Sequence, residues 1–517
     1  MTATGRDRIL LSFGGFELTP AAADAIVERA AGVTLYRHLN VDTPSQVRAL
    51  TDTLQAAATR SGLPPLLIGA DHETGQLHAM GAGSTPFAGA MAVGAAGDPG
   101  LAERVGRAIG IELRAMGVNV CYAPVCDLAT NPRNPVVGIR SFGDDPAAVG
   151  ALAAATVRGI QGAGVAATIK HLPGHGEPAA DSHLGLPVIE RSRDELAARE
   201  LIPFRAAIAA DVRLAMAGHL AVPAWTGRPD VPATLAPEIL LDLLRDELRF
   251  SGLAVSDALD MGAVSGGGDG ADVAAALRAG TDLLLCGPDP EAQARVEGTL
   301  QMAIRRLAAG DIAASSARLG TLHDWLATFE QPPIDVVASA SHRALAEELA
   351  GRSITLIRDR DGLVPLRLAR DARVVVIEPK PRDLTPADTT SLLSPGGLAD
   401  AIRATGRSVV GRVVDAVVSS ATIAGLRLDA AAADLVVLGT VDALRERSIA
   451  TLAEALVATG TPVIGVALRG PWDAVACGAV GTFLATYGIQ PPSLAALAAG
   501  LSGDRAITGR LPVVLAD

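Results

Sequence analysis

The alternation of short apolar runs with longer helical patterns, through the first 310 residues, most constrains the fold of this chain. The apolar runs have strand length and little polar alternation, which is typical of parallel strands covered on both faces. Eight of them are present, at 9–16, 32–38, 65–73, 118–128, 164–171, 213–222, 253–260 and 281–287. Helix-like segments such as 101–116 and 194–210 lie between them. Eight such units in about 300 residues predict a (β/α)8 barrel.

The pattern changes near residue 331, and the change predicts a second domain. A helix is expected first, at 341–352. Five further apolar strands are expected after it, at 353–359, 372–379, 433–440, 461–468 and 481–488. Helical patterns separate several of these strands, as in a layered α/β sandwich. We therefore predict a (β/α)8 catalytic barrel in residues 1–330, a linker in 331–340 and a smaller αβα sandwich domain in 341–517.

Charge and hydropathy argue against two classes of partner. The net charge is −12 and no Lys/Arg cluster is present, whereas a nucleic-acid surface needs a basic stripe. No uncharged apolar stretch approaches the roughly 18 residues of a membrane span. The opening residues also lack the apolar core of a signal peptide. We expect no nucleic-acid partner, no membrane partner and a cytoplasmic location.

The four cysteines do not indicate a disulfide framework or a metal site. They are few and widely scattered, unlike those of disulfide-stapled domains. Cys121 and Cys126 lie in an apolar run without a second pair, so buried thiols are expected rather than a zinc site. No GxGxxG follows a strand, and dinucleotide binding therefore has no support. We predict no cofactor and no metal.

Ionisable residues follow several of the predicted barrel strands. They stand at five strand ends: Asp71 and Glu73, Asp127, Lys170 and His171, His219, and Asp257. In a barrel these ends converge on one mouth, where catalytic groups are assembled. The alternative is that strands simply become polar where they leave the core.

Residues 170–183 (KHLPGHGEPAADSH) hold three of the nine histidines. Proline and glycine predict a tight turn that brings backbone close to a ligand. Asp181 and His183 are two residues apart, so in an extended arm both side chains point the same way. A carboxylate beside an imidazole fixes the tautomer and raises the basicity, which suits a general acid/base. Zinc held by the three histidines, or a purely structural loop, stays possible at this point.

Asp257 in VSDALDM (255–261) ends a strongly apolar strand before a glycine-rich loop. It could be the N-cap of the following helix. Facing a second acid/base group across the mouth, it would instead be a candidate nucleophile, because glycosidases place a nucleophilic carboxylate and a proton donor around an anomeric carbon.

Several motifs in order resemble one known family. KHLPGHG (170–176) and the Asp181-Ser182-His183 triplet are similar to the signature of the bacterial β-N-acetylhexosaminidase branch of glycoside hydrolase family 3, which reads KHFPGHG followed by Asp-x-His. Further landmarks of the two-domain type are GADHETG at 69–75, GIRSFGDDP at 138–146, VSDALDM at 255–261 and, as a closing strand, TGRLPV at 508–513.

The resemblance implies a role for each matching residue. Asp257 would be the nucleophile of a retaining exo-β-N-acetylglucosaminidase, and His183 the general acid/base with Asp181 as its partner. The N-acetylglucosamine subsite would be formed by Asp71, Arg140, Lys170 and His171, while His175 would shape the loop. The implied substrate is a terminal β-linked N-acetylglucosamine on a cell-wall (muropeptide) fragment.

Residues 71–79 depart from the family pattern, because Gln76 and Ala79 stand where arginines are common. His78 or Arg140 is expected to compensate. Two other functions stay open: a phosphorylase, in which phosphate replaces water and meets an imidazole rather than a repelling carboxylate, and a sugar-binding protein without catalysis. The second domain is expected either to be structural or to contact the leaving group, and no oligomeric state is predicted.

Overall fold

Eight short parallel strands form the first sheet of the computed structural model, which describes residues 5–81, 83–178, 185–261, 271–369, 371–385 and 388–515. They are β1 (Ile9–Leu11), β2 (Gly32–Leu35), β3 (Leu67–Ala70), β4 (Val120–Cys121), β5 (Ala166–Leu172), β6 (Leu214–Ala217), β7 (Leu253–Ser256) and β8 (Leu284–Leu285). β1 pairs with both β2 and β8. A bridge between Val255 and Leu283 joins β7 to the residue before β8. The sheet therefore closes into the expected barrel.

The barrel helices lie between the strands. Their bounds are Pro20–Val27, Arg37–Asn40, Pro44–Arg60, Ala90–Ala96, Pro99–Ala115, Pro146–Gln161, Arg193–Ala198, Leu201–Ala209, Pro223–Thr226, Glu238–Glu247, Ala271–Ala279, Pro290–Ile304 and Ala309–Leu326. Five of them begin with a Thr or Asp N-cap followed by proline, and each cap accepts a hydrogen bond from a first-turn amide. This is a strong start signal. Backbone amides in the first turn have no acceptor within the helix, so the missing amide of proline costs nothing there.

Each predicted barrel run contains a strand, but the strands are shorter than the runs. The run 32–38 leaves the sheet at Leu35, and Arg37–Asn40 is helical. The run 65–73 leaves it at Ala70 and continues into a small hairpin, His72–Thr74 with Leu77–His78. Residues beyond these two strands, among them Tyr36 and Asp71, line the cavity at the barrel mouth.

The helical run 194–210 is divided into two helices rather than one. Arg193–Ala198 ends before Leu201–Ala209 begins. Pro203 explains the break, because proline has no amide to donate to the carbonyl four residues earlier and its ring clashes there.

A second sheet follows the barrel. Its strands are β9 (Thr355–Asp359), β10 (Arg373–Pro379), β11 (Ser408–Val414), β12 (Leu435–Thr440), β13 (Val463–Ala467) and β14 (Thr482–Ala485). The order is β9-β14-β13-β12-β10-β11, with only β9 antiparallel to its neighbour. The helices are Ala340–Ser353, Gly397–Ala404, Ser420–Ala431, Arg447–Val457, Asp473–Ala476 and Pro491–Ser502. The expected smaller α/β domain is thus present; its boundaries at 330 and 341 stay a prediction.

Two sequence expectations for this part of the chain were incomplete or wrong. β11 was not predicted, because it is a largely exposed edge strand whose glycine and arginine interrupt the apolar run. Residues 508–513 do not form the closing strand that the family resemblance implied. They run as irregular backbone against the barrel, with the Arg510 amide donating to the Ala95 carbonyl (3.0 Å) and the Asp144 amide to the Pro512 carbonyl (3.1 Å).

The second domain is hydrogen-bonded to the barrel mouth. The Thr389 amide donates to the Gln76 carbonyl (2.9 Å), and the His78 amide donates to Thr389 Oγ1 (3.2 Å). Gln490 Nε2 donates to the Gly75 carbonyl at 2.8 Å. The hairpin that follows β3 is therefore held from both sides. No helix within the described ranges is long and apolar enough to cross a bilayer.

Candidate active site

A cavity of about 400 Å³ opens where the barrel strands end. Five of the seven predicted site residues line it: Asp71, Arg140, Lys170, His171 and Asp257. The two others, Asp181 and His183, lie outside the described residues. The strand-end argument predicted four of these five, namely Asp71, Lys170, His171 and Asp257, whereas Arg140 was implied by the family resemblance. Three other strand-end residues, Glu73, Asp127 and His219, do not line the cavity.

Asp71, Lys170 and Arg140 form the polar wall of the cavity, and Glu73, which does not line it, binds both cations. Lys170 Nζ lies 2.6 Å from Asp71 Oδ1 and 2.5 Å from Glu73 Oε1. Arg140 binds Glu73 through two nitrogens, at 2.7 and 2.8 Å. Burial alone would raise the pKa of Glu73, but Arg140 and Lys170 lower it to about 2. Burial likewise opposes the charge of Lys170, and Asp71 and Glu73 raise its pKa. Glu73, Lys170 and Arg140 therefore stay ionised.

Asp127 organises the histidine loop. It accepts hydrogen bonds from His171 Nδ1 (2.7 Å) and from the backbone amide of His175 (2.7 Å). His171 Nδ1 is thereby the protonated nitrogen, so a neutral ring would present Nε2 as an acceptor. Burial lowers the pKa of His175 to about 4, which keeps that imidazole neutral. Among the described residues no three His, Cys, Asp or Glu side chains are grouped so that they could hold a metal ion.

Gly176 shows why this loop is rich in glycine. A Cβ at this position would lie 1.8 Å from the carbonyl oxygen of Leu128. The close backbone approach predicted for the loop is therefore a contact within the protein, which packs the loop onto the segment after β4.

Asp257 follows β7 directly and accepts a hydrogen bond from the Ala258 amide at 2.9 Å. His219 lies behind this turn, and its Nε2 donates to the Ala258 carbonyl at 2.9 Å. His219 is fully buried and thus supports the turn instead of lining the cavity. Three residues after Asp257, Asp260 also lines the cavity, and burial raises the pKa of its carboxyl.

Several cavity residues were not predicted. They are Tyr36, Arg37 and His38 after β2, Met216 in β6, Asp260 after β7, and Asp388 and Thr389 from the second domain. The polar residues at 36–38 and at 260 are the last residues of the predicted runs 32–38 and 253–260, so the strand-end rule could have found them. No sequence signal marks 388 and 389, because their position depends on how the second domain packs on the barrel.

The departures at Gln76 and Ala79 have a structural explanation. Gln76 Oε1 accepts a hydrogen bond from Arg469 of the second domain, and Arg469 forms a buried ion pair with Asp388 at 2.7 Å. A guanidinium is therefore present beside residue 76, although it comes from another part of the sequence. Ala79 lines the cavity.

Of the two residues expected to compensate for the missing arginines, Arg140 lines the cavity and His78 does not. The Nε2 of His78 lies 2.6 Å from Ser84 Oγ. Arg140 is bound to Glu73. Arg37 also lines the cavity, and its guanidinium packs over Gly81.

Known proteins are similar to this chain along most of its length. Beta-hexosaminidase A of Pseudoalteromonas piscicida is 31% identical over 378 residues, which are 68% of this chain and 63% of that protein. The beta-N-acetylglucosaminidase/beta-glucosidase of Cellulomonas fimi is 34% identical over 66% of this chain and 62% of its own. The chain thus spans less than two thirds of the length of these two relatives.

Solved structures and a family match extend this likeness. The structure of a glycoside hydrolase family 3 beta-N-acetylglucosaminidase from Paenibacillus sp. superposes on this chain with a TM-score of 0.93 and 34% sequence identity. The match covers 100% of this chain and 99% of the Paenibacillus chain. Residues 18–321, the whole barrel from its first helix onward, match the family described as glycosyl hydrolase family 3 N terminal domain. The chain therefore belongs to glycosyl hydrolase family 3.

Proposed function

We propose that this protein is a retaining exo-β-N-acetylglucosaminidase that uses Asp257 as its nucleophile. One observation carries the proposal: Asp257 directly follows β7, Asp71 directly follows β3, four positions away in a ring of eight strands, and both line the cavity. The nucleophile and the charged wall thus occupy opposite sides of one cavity. A sugar ring between them would present its anomeric carbon to Asp257 and its hydroxyls to Lys170 and Asp71.

The proposed reaction has two displacements at the anomeric carbon. In the first, a carboxylate oxygen of Asp257 bonds to that carbon while the leaving oxygen takes a proton from the imidazolium of His183. In the second, His183 removes a proton from water, the water oxygen bonds to the carbon and Asp257 leaves as carboxylate. Two inversions give net retention. The roles of His183 and Asp181 are those that the family resemblance of the Asp181-Ser182-His183 triplet implies.

The polar wall supports recognition of a sugar without taking part in bond cleavage. Carboxylates and cations that neutralise one another offer both acceptors and donors to neutral hydroxyl groups. Because Glu73 stays ionised, Lys170 and Arg140 are held in fixed positions before any ligand arrives. Such preorganisation lowers the cost of binding.

We propose that the substrate ends in a single β-linked N-acetylglucosamine. The cavity of about 400 Å³ lies near the lower end of the range for small-ligand sites, and Asp388 and Thr389 form part of its wall. The similar proteins are named for hexosaminidase or N-acetylglucosaminidase activity. Muropeptide fragments in the cytoplasm are the proposed natural source; the four buried, unpaired cysteines are consistent with a reducing compartment.

Replacement of Asp257 by Ala tests the nucleophile. We expect hydrolysis of an aryl β-N-acetylglucosaminide to fall by about a thousandfold or more, with an unchanged circular dichroism spectrum. Asp52→Ala, on an exposed helix face, is the matched control and should retain activity. Azide should restore release of the aryl group from Asp257→Ala, because it can enter the space left by the carboxylate. Undiminished activity would refute the assignment.

The products distinguish the remaining alternatives. NMR observation of the first-formed sugar should show the β-anomer, and an α-anomer would rule out two displacements. Reactions with and without inorganic phosphate should give free N-acetylglucosamine. If phosphate shifts the product to the sugar 1-phosphate, the protein is a phosphorylase. If neither product forms from an aryl β-N-acetylglucosaminide, β-glucoside or β-xyloside, catalysis itself is excluded.

A further inference from the structure

A second cavity, of about 520 Å³, lies in the C-terminal domain. Its walls include Pro379 at the end of β10, Val441 after β12 and Leu468 after β13. The strand order reverses between β10 and β12, since β11 lies on one side of β10 and β12 on the other. Open α/β sheets bind their ligands in the crevice at such a reversal, outside the carboxyl ends of the strands. We call this cavity the switch-point crevice.

The crevice is separate from the proposed catalytic cavity. Thr390 and Arg469 face the crevice, whereas Asp388 and Thr389 face the catalytic side. The ion pair between Arg469 and Asp388 belongs to the wall between them. The two cavities have no lining residue in common, so a ligand in the crevice need not be part of the sugar substrate.

The body of the crevice is apolar. Leu468 and Leu494 form a buried floor, and Leu392 at the rim leaves 61% of its surface exposed. A large aliphatic side chain with that exposure beside an open cavity gains from contact with an apolar ligand, at about 25 cal/mol per Å² of apolar surface removed from water.

The carboxylates of the crevice are already paired within the protein. Glu378 accepts hydrogen bonds from the amides of Leu398 and Ala399, both at 3.1 Å, at the start of helix Gly397–Ala404. Asp400 pairs with Arg403 on the same helix. The helix start is therefore filled by a carboxylate of the protein, which excludes a phosphate at the position that nucleotide-binding folds use.

The cations at the mouth are not paired in this way. Lys380 and Arg382 line the crevice, and neither forms an ion pair with any residue that the structure describes. Lys170 and Lys380 are the chain's two lysines, although lysine and arginine together number 44. One of them lies in the proposed catalytic cavity and the other at this mouth.

We propose that the switch-point crevice binds a small organic anion with an apolar body, at a site separate from the sugar cavity. The apolar body would lie on Leu468, Leu494 and Leu392, and the anionic group would lie at the mouth between Lys380 and Arg382. A compact inorganic anion would leave the apolar floor of Leu468 and Leu494 uncovered, and an uncharged apolar ligand would leave Lys380 and Arg382 without an anionic partner.

Lysine methylation gives a direct readout of this site. Reductive methylation with ¹³C-formaldehyde labels the amine of Lys380, which is exposed, and keeps its positive charge. Lys170 is 1% exposed and ion-paired, so it is shielded from the reagent. Lys380→Arg identifies the signal by its loss. The probe is 8-anilinonaphthalene-1-sulfonate, whose rings shift the methyl resonance of a nearby lysine. We expect a saturable shift of the Lys380 signal, with no competition by N-acetylglucosamine.

Matched variants test both halves of the proposed site. Arg382→Ala and Leu392→Ala should each weaken probe binding about fivefold. Leu428→Ala should not, although Leu428, on helix Ser420–Ala431, is even more exposed (76%). The proposal is overturned if the Lys380 signal does not shift, if inorganic phosphate shifts it equally, if N-acetylglucosamine displaces the probe, or if Leu428→Ala has the same effect as Leu392→Ala. The readout is independent of glycosidase activity, so it does not depend on the proposed function.

Discussion

Glu73 is the residue on which the charged wall of the candidate active site depends. It binds Lys170 and Arg140 at once, and it is almost fully buried. Without it, Lys170 would keep Asp71, whereas Arg140 would keep only the carbonyl of Val136. A buried cation that loses its partner costs far more than a surface pair contributes.

The change Glu73→Gln should therefore reduce both stability and substrate binding. We expect the free energy of unfolding to fall by about 3 kcal/mol and KM for an aryl β-N-acetylglucosaminide to rise, because Lys170 and Arg140 lose their fixed positions. Calorimetry and steady-state kinetics measure the two effects. Glu103→Gln is the control: its pair with Arg158 is about half exposed and should contribute no more than about 1 kcal/mol. Equal effects of the two changes would contradict the central role of Glu73.

At the scale of elements, the tightest helix contact in the barrel depends on glycine. Helices Pro99–Ala115 and Pro146–Gln161 pack with backbones close together, and a Cβ on Gly159 would lie 2.2 Å from the Glu103 carbonyl oxygen and 2.7 Å from the Arg107 nitrogen. Neither backbone atom can move without shifting its helix. The contact therefore selects glycine, despite the low helix propensity of that residue.

Two Gly→Ala changes within barrel helices should have opposite effects. Gly159→Ala should lower the free energy of unfolding by about 1–3 kcal/mol, because the helices must separate. Gly298→Ala, in helix Pro290–Ile304, meets no atom within 4 Å and should raise it by about 0.5–1 kcal/mol, because alanine restricts the unfolded chain. Thermal unfolding of the two variants measures the difference. A stabilising Gly159→Ala would show that the helices adjust at no cost.

The elements also show what the sequence could predict and why. Continuous apolar runs located all eight barrel strands, because a parallel strand covered on both faces leaves no room for polar side chains. The exposed edge strand β11 has no such constraint and was missed. For the same reason Asp71, Lys170 and Asp257 were predictable, since each directly ends or interrupts an apolar run. Asp388 and Thr389 were not, because packing between domains, which no local pattern records, brings them to the cavity.

At the scale of the whole molecule, the two domains meet around Arg469. This residue contacts Gln76 of the barrel hairpin and Asp388 of the cavity wall. Beside it, Asp473 lines a small cavity between the domains together with Gln76 and Arg469. One carboxyl oxygen of Asp473 accepts from the Ala443 amide at 2.7 Å, and the other has no hydrogen-bond partner among the described residues. Burial raises the pKa of Asp473 to about 7.

The sign of the resulting pH dependence follows from linkage. In the unfolded chain the carboxyl of Asp473 titrates near pH 4, whereas in the folded protein it keeps its proton up to about pH 7. Between these values the folded state binds the extra proton, so this group's contribution to stability is fully present below about pH 4 and is lost as the pH rises through 7. At pH 8 a charged carboxylate is buried at the junction between the domains.

Asp473→Asn should remove this loss, because the amide imitates the protonated carboxyl. We expect the variant and the wild type to have similar stability near pH 4, and the variant to gain about 1.4 kcal/mol per pH unit relative to the wild type up to about pH 7. Melting temperatures measured from pH 4.5 to 8.5 would show the divergence. Asp429→Asn gives a control of opposite sign, since the hydrogen bond from Arg412 lowers the pKa of Asp429, and its loss should destabilise the protein above pH 4. A constant difference between Asp473→Asn and wild type across this range would mean that Asp473 is already ionised in the folded protein.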